Sequence, residues 1–158
     1  MEEEKWFNEA AQNAKQSPCL KAKCGAVIVA NGEIIGRGFN SPAGNEPNRC
    51  LTEYVIPKNN KHDITCCVHA EVRAIHDALS NHPDKIKSST LYFMRVNKDD
   101  QNTFAGVPFC TICSKEALDA GIKSFGLWHE SGIRMYDTQE YNELSYQFFK
   151  DANLWPLK

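Results

Sequence analysis

Two short segments of the sequence carry residue types that bind a transition metal. The first contains His69 and, two residues later, Glu71, and the second contains Cys110 and Cys113. Zinc binds neutral imidazole nitrogen and thiolate sulfur, and His69, Cys110 and Cys113 supply one nitrogen and two sulfurs. Three protein ligands leave the fourth tetrahedral position open, which is typical of a catalytic zinc ion. The segments therefore predict a zinc ion held by these three side chains.

Glu71 is the residue that we expect to move protons at this site. A carboxylate beside an open zinc position can take a proton from water and return it to a ring nitrogen of a substrate. Hydrolytic deamination of a ring amidine, with release of ammonia, requires this proton movement. We therefore predict that Glu71 is the catalytic residue.

Both segments are predicted at the beginning of helices. Spacing and composition predict helices over 67–80 and 111–120, and Gly121 follows the second helix as a C-terminal cap. Cys110 and Cys113 are three residues apart and therefore share one face at a helix start. The dipole and the unpaired N–H groups there favour the thiolates that zinc binds.

The other predicted elements alternate between strands and helices. Segments of strand composition lie near 25–30, 33–39, 89–96 and 123–128, and the first two are joined by the hairpin signal Asn31-Gly32. Further helices are predicted over 3–16 and near 138–150, and polar loops over 40–64 and 97–109. This order predicts an α/β fold, a three-layer α-β-α sandwich with a mixed sheet, in one domain over 1–158.

Composition argues against several classes of function. The chain has 158 residues, enough to bury a core without disulfides, and its seven cysteines are an odd number. The acidic start MEEEKWF does not resemble a secretory leader, and no segment approaches the roughly 18 apolar residues of a membrane helix. The net charge of -2 offers no basic excess for a nucleic acid. We therefore expect a cytoplasmic protein with a small-molecule substrate and no membrane partner.

The motifs and their order resemble the cytidine/deoxycytidylate deaminase superfamily, whose signature is H-x-E followed by P-C-x-x-C. The similar stretches, within roughly residues 20–128, are CGAVIVANGEIIGRGFN, NSPAG, CVHAEVRAI, TLYFM, CTIC and AGIKSFGLW. The stretch GFNSP is most similar to the deoxycytidylate deaminase branch. The resemblance implies a cytidine deaminase-like fold, a homo-oligomer, and substrate contacts from Asn40 and Ala70.

The resemblance also implies hydrolysis of a cytosine-type nucleoside or nucleotide to its uracil product. The sequence departs from the family at two places. Phe109 stands where the family has a proline directly before the first cysteine, and the connection 97–109 is longer than usual. We expect this connection to border the mouth of the pocket, where it affects the choice of substrate more than the metal site.

Alternative functions stay open at this stage. The same zinc site would suit a base in RNA or DNA, or a purine such as adenosine or guanine. A non-catalytic, zinc-stabilised module would instead close the site with Cys66 or Cys67 as a fourth ligand, but would leave Glu71 without a role.

Several other polar side chains have two interpretations each. A second zinc site would involve Cys50 and His62, and Arg49 and Lys58 are either phosphate ligands or solvated loop charges. His129 follows a predicted strand and belongs either to the pocket or to the surface. Cys19, Cys24, Cys50 and Cys66 are most simply buried or incidental thiols, and the apolar stripe from Tyr141 to Phe149 suits the core or an interface between copies.

Overall fold

The computed structural model describes residues 1–45 and 66–152 of the chain. Its helices are α1 (Glu2–Lys15), α2 (Ala70–Asn81), α3 (Thr111–Asp119) and α4 (Thr138–Asp151), with one turn of 3-10 helix over Ala43–Asn45. Its strands are β1 (Lys23–Ala30), β2 (Glu33–Phe39), β3 (Ser41–Pro42), β4 (Cys67–Val68), β5 (Thr90–Val96), β6 (Asn102–Thr103), β7 (Ser124–His129) and β8 (Gly132–Asp137). In the described ranges, no helix combines the length and apolar character needed to cross a membrane.

Six of the strands form one mixed sheet. Its main order is β2-β1-β5-β7-β8, and β6 pairs with β5 beyond this path. The strands β5 and β7 are parallel, whereas every other pairing in this sheet is antiparallel. A parallel pair needs a crossover connection, and α3 lies in the connection between β5 and β7.

Helices cover both faces of this sheet, because alternate residues of the central strands are apolar on both sides. On one face, Phe7 and its α1 neighbours pack with Val27 and Tyr92. On the other face, Ala74 of α2 and Tyr141 of α4 belong to a second buried cluster. The predicted three-layer sandwich with a mixed sheet is therefore confirmed.

The turn between β1 and β2 is the predicted Asn31-Gly32 hairpin. Both residues have positive φ, 51° and 76°, as a two-residue turn of this twist requires. The register of the two strands changes between Ile28 and Val29, where one strand bulges.

The predicted start of the second helix at residue 67 is wrong by three residues. Cys67 and Val68 form β4, which pairs with Ser41 and Pro42 of β3. The α2 helix begins at Ala70, because the backbone pairing holds the preceding residues in an extended conformation. His69 therefore occupies the N-cap position in an extended conformation, with φ -65° and ψ 150°, and its side chain makes no capping hydrogen bond.

The strand β8 is missing from the sequence prediction, which leaves the segment after Trp128 unassigned. It pairs antiparallel with β7 from His129↔Gly132 to Ser124↔Asp137. Gly132 has a φ of 123°, which favours glycine and allows the tight reversal. The alternation of apolar and polar residues after this turn is weak, because β8 is an edge strand with several exposed positions.

Glycines allow α2 to lie directly on β2. A Cβ atom at Gly38 would overlap the carbonyl oxygen of Ala70, and one at Gly36 would overlap that of Ala74. The absence of side chains at these two positions brings the first turn of α2 against the end of β2. This contact fixes the height of the helix start above the sheet.

Candidate metal centre and active site

The N-terminus of α2 carries the first half of the predicted site. His69 is the N-cap residue, and Glu71 lies in the first turn of the helix. Arg73, one turn further, donates hydrogen bonds to the carbonyl oxygens of Ser41 and Pro42 at 3.2 and 2.8 Å. These bonds and the short β3–β4 pairing hold the segment that leads into the site.

The N-terminus of α3 carries the second half. Cys110 is the N-cap residue, and its Sγ accepts a hydrogen bond from the backbone N–H of Cys113 at 3.3 Å. Both cysteines are buried. The sequence prediction that the two sulfurs share one face at a helix start agrees with this geometry.

The structure brings His69, Cys110 and Cys113 into one cluster. His69 Nδ1 lies 3.2 Å from the Sγ of Cys113 and 3.3 Å from the Sγ of Cys110, and all three ligand atoms lie within 4.8 Å of one another. Tetrahedral ligands at about 2.0–2.3 Å from one zinc ion lie roughly 3.6–3.8 Å apart, so a small outward movement of the two sulfurs from Nδ1 would accommodate the ion. One nitrogen and two sulfurs at these separations therefore fit zinc with a fourth position for substrate or water.

The electrostatics of the cluster are those of groups that need a cation. Burial, together with the neighbouring Cys110 and Glu71, raises the pKa of the Cys113 thiol well above its usual value. A hydrogen bond with Cys110 raises the pKa of His69 to about 9, although burial opposes this shift. A divalent cation among the three ligands stabilises the thiolates and displaces the proton from the imidazole.

Glu71 is buried beside the cluster without belonging to it. Its side chain is 6 % exposed, and the three-residue cluster does not include its carboxylate. Burial first, and then the charge of Cys110, raises the pKa of Glu71, whereas His69 and a hydrogen bond with Cys113 lower it. Burial therefore stabilises the protonated form of the Glu71 carboxyl relative to a carboxyl in water.

The thiols of Cys66 and Cys67 do not complete a four-ligand site. Their sulfurs lie 3.8 Å from each other, and neither belongs to the cluster around His69. The described geometry thus supports three protein ligands. The suggested second site at Cys50 and His62, and the loop cations Arg49 and Lys58, lie outside the described residues.

Asn40 and Ala70, the two residues expected to contact substrate, lie directly after β2 and at the start of α2, respectively. Asn40 is 8 % exposed; its Oδ1 accepts from the Cys24 N–H and its Nδ2 donates to the Ala22 carbonyl, both at 2.8 Å. Ala70 is fully buried in the first turn of α2. The Asn40 amide therefore fixes the backbone that leads into β1.

Tyr141, which belongs to the apolar stripe of α4, lies near Glu71 and the two cysteines. Tyr141 stacks on Phe125 at 4.0 Å between ring centroids. Burial, and then Glu71 and the two cysteines, raise its pKa well above the usual value, so it remains a neutral phenol. The Tyr141 position on the helical stripe predicts burial, but only the packing of α4 against α3 reveals the nearby metal ligands.

His129 is half-buried at the end of β7 and connects three elements. Its Nδ1 lies 3.0 Å from the Ala105 carbonyl oxygen, and its Nε2 lies 2.8 Å from the Tyr136 hydroxyl. Ala105 also donates from its backbone to the Trp128 carbonyl at 2.8 Å. The long connection before Cys110 is thus attached to β7. The sequence did not indicate this role of His129, because its partner Tyr136 belongs to β8, a strand that the sequence analysis does not predict.

A metal site of one histidine and two cysteines at two helix starts, beside a buried glutamate in a three-layer fold, defines the class of zinc-dependent deaminases. Residues 1–127 match the family model described as the cytidine and deoxycytidylate deaminase zinc-binding region. The chain belongs to this family, and it is a zinc-dependent deaminase.

Solved structures with this fold include two of the dCMP deaminase of the cyanophage S-TIM5. The apo form is 23% identical, with a TM-score of 0.52 over 77% of this chain and 78% of that one. The complex with dCMP and dUMP is 21% identical, with a TM-score of 0.53 over 78% and 77%. A cytidine deaminase from Burkholderia pseudomallei is 14% identical, with a TM-score of 0.59 over 89% and 96%. A search of curated protein sequences finds no match.

Proposed function

We propose that this protein hydrolytically deaminates a cytosine-type nucleoside or nucleotide, releasing ammonia and giving the uracil product. The observation that carries the proposal is the buried Glu71 carboxyl beside the three metal ligands. The chain belongs to a family whose description names cytidine and deoxycytidylate deaminases. One similar structure, from the cyanophage S-TIM5, is a complex with dCMP and dUMP, a substrate and product pair of this chemistry.

His69, Cys110 and Cys113 would hold the zinc ion. When bound, zinc with an open position supplies Lewis-acid activation of water. Glu71 would carry two protons in turn. The first would pass from water to the ring nitrogen as the water oxygen bonds to the ring carbon, and the second would pass from that new hydroxyl group to the amino group, which leaves as ammonia. Burial supports this role because it raises the pKa of the Glu71 carboxyl and stabilises its protonated form.

Asn40 and Ala70 are proposed to shape the substrate subsite. Ala70 lies in the helix turn that carries Glu71. The Asn40 amide holds the start of β1 in place through its hydrogen bond from the Cys24 N–H. Through this ordering, Asn40 would position the wall of the subsite. The connection 97–109, attached to β7 through Ala105, would form part of its mouth.

The proposal is tested by replacing Glu71 with glutamine. Because general acid–base catalysis contributes about a hundredfold to ten-thousandfold, Glu71→Gln should lower kcat at least about a hundredfold. Its zinc content, measured by mass spectrometry of metals, should equal that of the wild type. The matched control is Glu116→Gln, an exposed glutamate on α3, which should keep full activity.

The substrate is tested by an ammonia-release screen on the zinc-loaded protein. The compounds are cytosine, cytidine, deoxycytidine, their monophosphates, adenosine, guanine and a cytosine-containing oligonucleotide. We expect turnover of a cytosine nucleoside or nucleotide. Turnover confined to a purine or to the oligonucleotide, or wild-type activity in Glu71→Gln, would reject the proposal.

The assembly and the compartment also stay predictions. A homo-oligomer is supported by the partial exposure of Leu118 on α3 and Leu144 on α4, two helices that pack together. Sedimentation analysis of the zinc-loaded protein measures the assembly directly. The expectation of a cytoplasmic location is supported by the cysteines of the described ranges, which form no disulfide bond with one another.

A further inference from the structure

The helix α3, which begins at the two cysteines, is short and depends on the rest of the fold. It has nine residues, and its first turn contains no acidic side chain. Its N-cap side chain is the Cys110 sulfur, which is also a proposed metal ligand. A helix of this length is marginal by itself, so contacts with other elements must hold its start in place.

The residue directly before the Cys110 cap packs on α4. An apolar residue at this position commonly packs on the fourth residue of its own helix. In α3 the two positions are occupied by Phe109 and Ser114, and the serine is polar. The ring of Phe109 packs with that of Phe148 on α4, with 5.7 Å between the centroids and 51° between the planes. The backbone that leads into Cys110 is therefore attached to α4.

Ser114, which directly follows Cys113, is bound to α4 as well. Asn142 Nδ2 donates to Ser114 Oγ at 2.9 Å, and Ser114 Oγ lies 3.2 Å from Ser145 Oγ. The Ser145 hydroxyl donates to the Asn142 carbonyl oxygen at 2.6 Å, which closes a small network. Both serines are fully buried. Loss of one hydroxyl therefore removes a hydrogen bond from a place where water does not replace it.

The other end of α4 is fixed to the sheet. Tyr141 stacks on Phe125 of β7, with 4.0 Å between the ring centroids. The Thr138 N–H donates to the Lys123 carbonyl oxygen, directly before β7, at 3.0 Å. The helix therefore connects the sheet to the start of α3.

We propose that Asn142, Ser145 and Phe148 of α4 are positioning residues for the metal site. They recur every third residue and therefore lie on one side of the helix, which faces the start of α3. Through this contact they hold Cys110 and Cys113 close to their metal-binding positions before zinc binds. Ligands that are already ordered lose less freedom on binding, so the contact increases the affinity for zinc.

This role extends the metal site beyond the segment that carries its ligands. The helix α4 (Thr138–Asp151) follows residue 127, where the match to the zinc-binding family model ends. The zinc affinity of this chain thus depends on a helix outside the matched region. The inference concerns the metal alone and is independent of which base the protein deaminates.

The test measures the zinc affinity of the metal-free protein by competition with a chromophoric chelator at fixed pH. Phe148→Leu should raise the dissociation constant for zinc about threefold to tenfold, the contribution of an aromatic pair. Phe148→Tyr keeps the ring and should restore the wild-type value. Ser145→Ala should raise the constant by a similar factor, the contribution of one hydrogen bond.

Two control variants separate positioning from a general loss of stability. Gln147→Ala changes an exposed residue of α4 next to Phe148. Val27→Ala removes buried methyl groups on the opposite face of the sheet, where Val27 packs with α1, and so destabilises the fold away from the metal site. Both variants should bind zinc with the wild-type affinity. Values for Phe148→Leu and Ser145→Ala within twofold of the wild type, or an equal loss in Val27→Ala, would overturn the inference.

A double-mutant cycle tests whether Phe148 acts through the residue before Cys110. If it does, Phe148→Leu should have little further effect on zinc affinity once Phe109→Leu is present. Fully additive effects of the two substitutions would overturn the role of Phe148. Because affinity is measured without substrate, the result is separate from the proposed function: a protein that deaminates no cytosine compound would reject that function and leave this test unaffected.

Discussion

Cys110 combines two functions in one sulfur atom at the start of α3. It is one of the three proposed metal ligands, and it also caps the helix by accepting from the Cys113 N–H. A serine hydroxyl is a good helix cap but a poor zinc ligand compared with a thiolate. Substitutions at this position can therefore separate metal binding from helix stability.

We predict that Cys110→Ser and Cys110→Ala both lose zinc, whereas only the alanine variant also loses the cap. With zinc removed from all samples, Cys110→Ala should be less stable than Cys110→Ser by about 1 kcal/mol in the free energy of unfolding. Denaturant titration measures the difference, and metal analysis measures the zinc. Cys19→Ser is the control for metal content, since Cys19 is outside the cluster. Equal stability of the two Cys110 variants would contradict the capping role.

At the scale of elements, the close contact between α2 and β2 sets the position of Glu71. Gly38 leaves no room for a Cβ, because the carbonyl oxygen of Ala70 occupies that space. Any side chain there must push the first turn of α2 away from the sheet. Glu71 and the neighbouring His69 would move with that turn, while α3 and its cysteines would stay.

We predict that Gly38→Ala lowers both stability and activity. Overpacking of this kind costs about 1–3 kcal/mol in the free energy of unfolding, and the displaced Glu71 should lower kcat in folded protein. Gly106→Ala is the matched control, because nothing lies within 4 Å of a Cβ at Gly106, and its effect should stay within about 0.5 kcal/mol. Thermal unfolding and ammonia release measure the two effects. An active Gly38→Ala enzyme of unchanged stability would contradict the contact.

The metal ligands could be predicted from sequence because His69, Cys110 and Cys113 each lie within two residues of a helix start predicted from local signals, although the structure moves the first of these starts to Ala70. The contacts of α4 with the start of α3 could not, because they depend on the packing of two helices that no local pattern encodes. The strand β8 could not be predicted either, because its exposed edge positions weaken the alternation of apolar and polar residues. The role of the Asn40 amide was also hidden, because its backbone partners at Ala22 and Cys24 come close to it only when the sheet forms.

At the scale of the whole molecule, the metal site joins two helices that the sequence separates. His69 precedes α2, whereas Cys110 and Cys113 belong to the start of α3, and both helices pack on the same face of the sheet. A ligand that binds only the folded chain stabilises it, by about 4 kcal/mol at a free concentration a thousandfold above its dissociation constant. Zinc should therefore act as a tertiary cross-link between α2 and α3.

The strength of this cross-link should depend on pH, because zinc and a proton compete for His69. The hydrogen bond with Cys110 raises the pKa of His69 to about 9 when zinc is removed, and burial raises that of Cys113. Below these pKa values the ligands hold protons that zinc must displace, so the apparent affinity increases as the pH increases toward about 9. The shift in melting temperature on adding a fixed zinc concentration should accordingly be larger at pH 8 than at pH 6. His69→Gln should abolish the shift, whereas His76→Gln, an exposed histidine on α2, should keep it. A shift of equal size at both pH values would mean that zinc displaces no protons from these ligands. That result would contradict the competition between zinc and protons at His69.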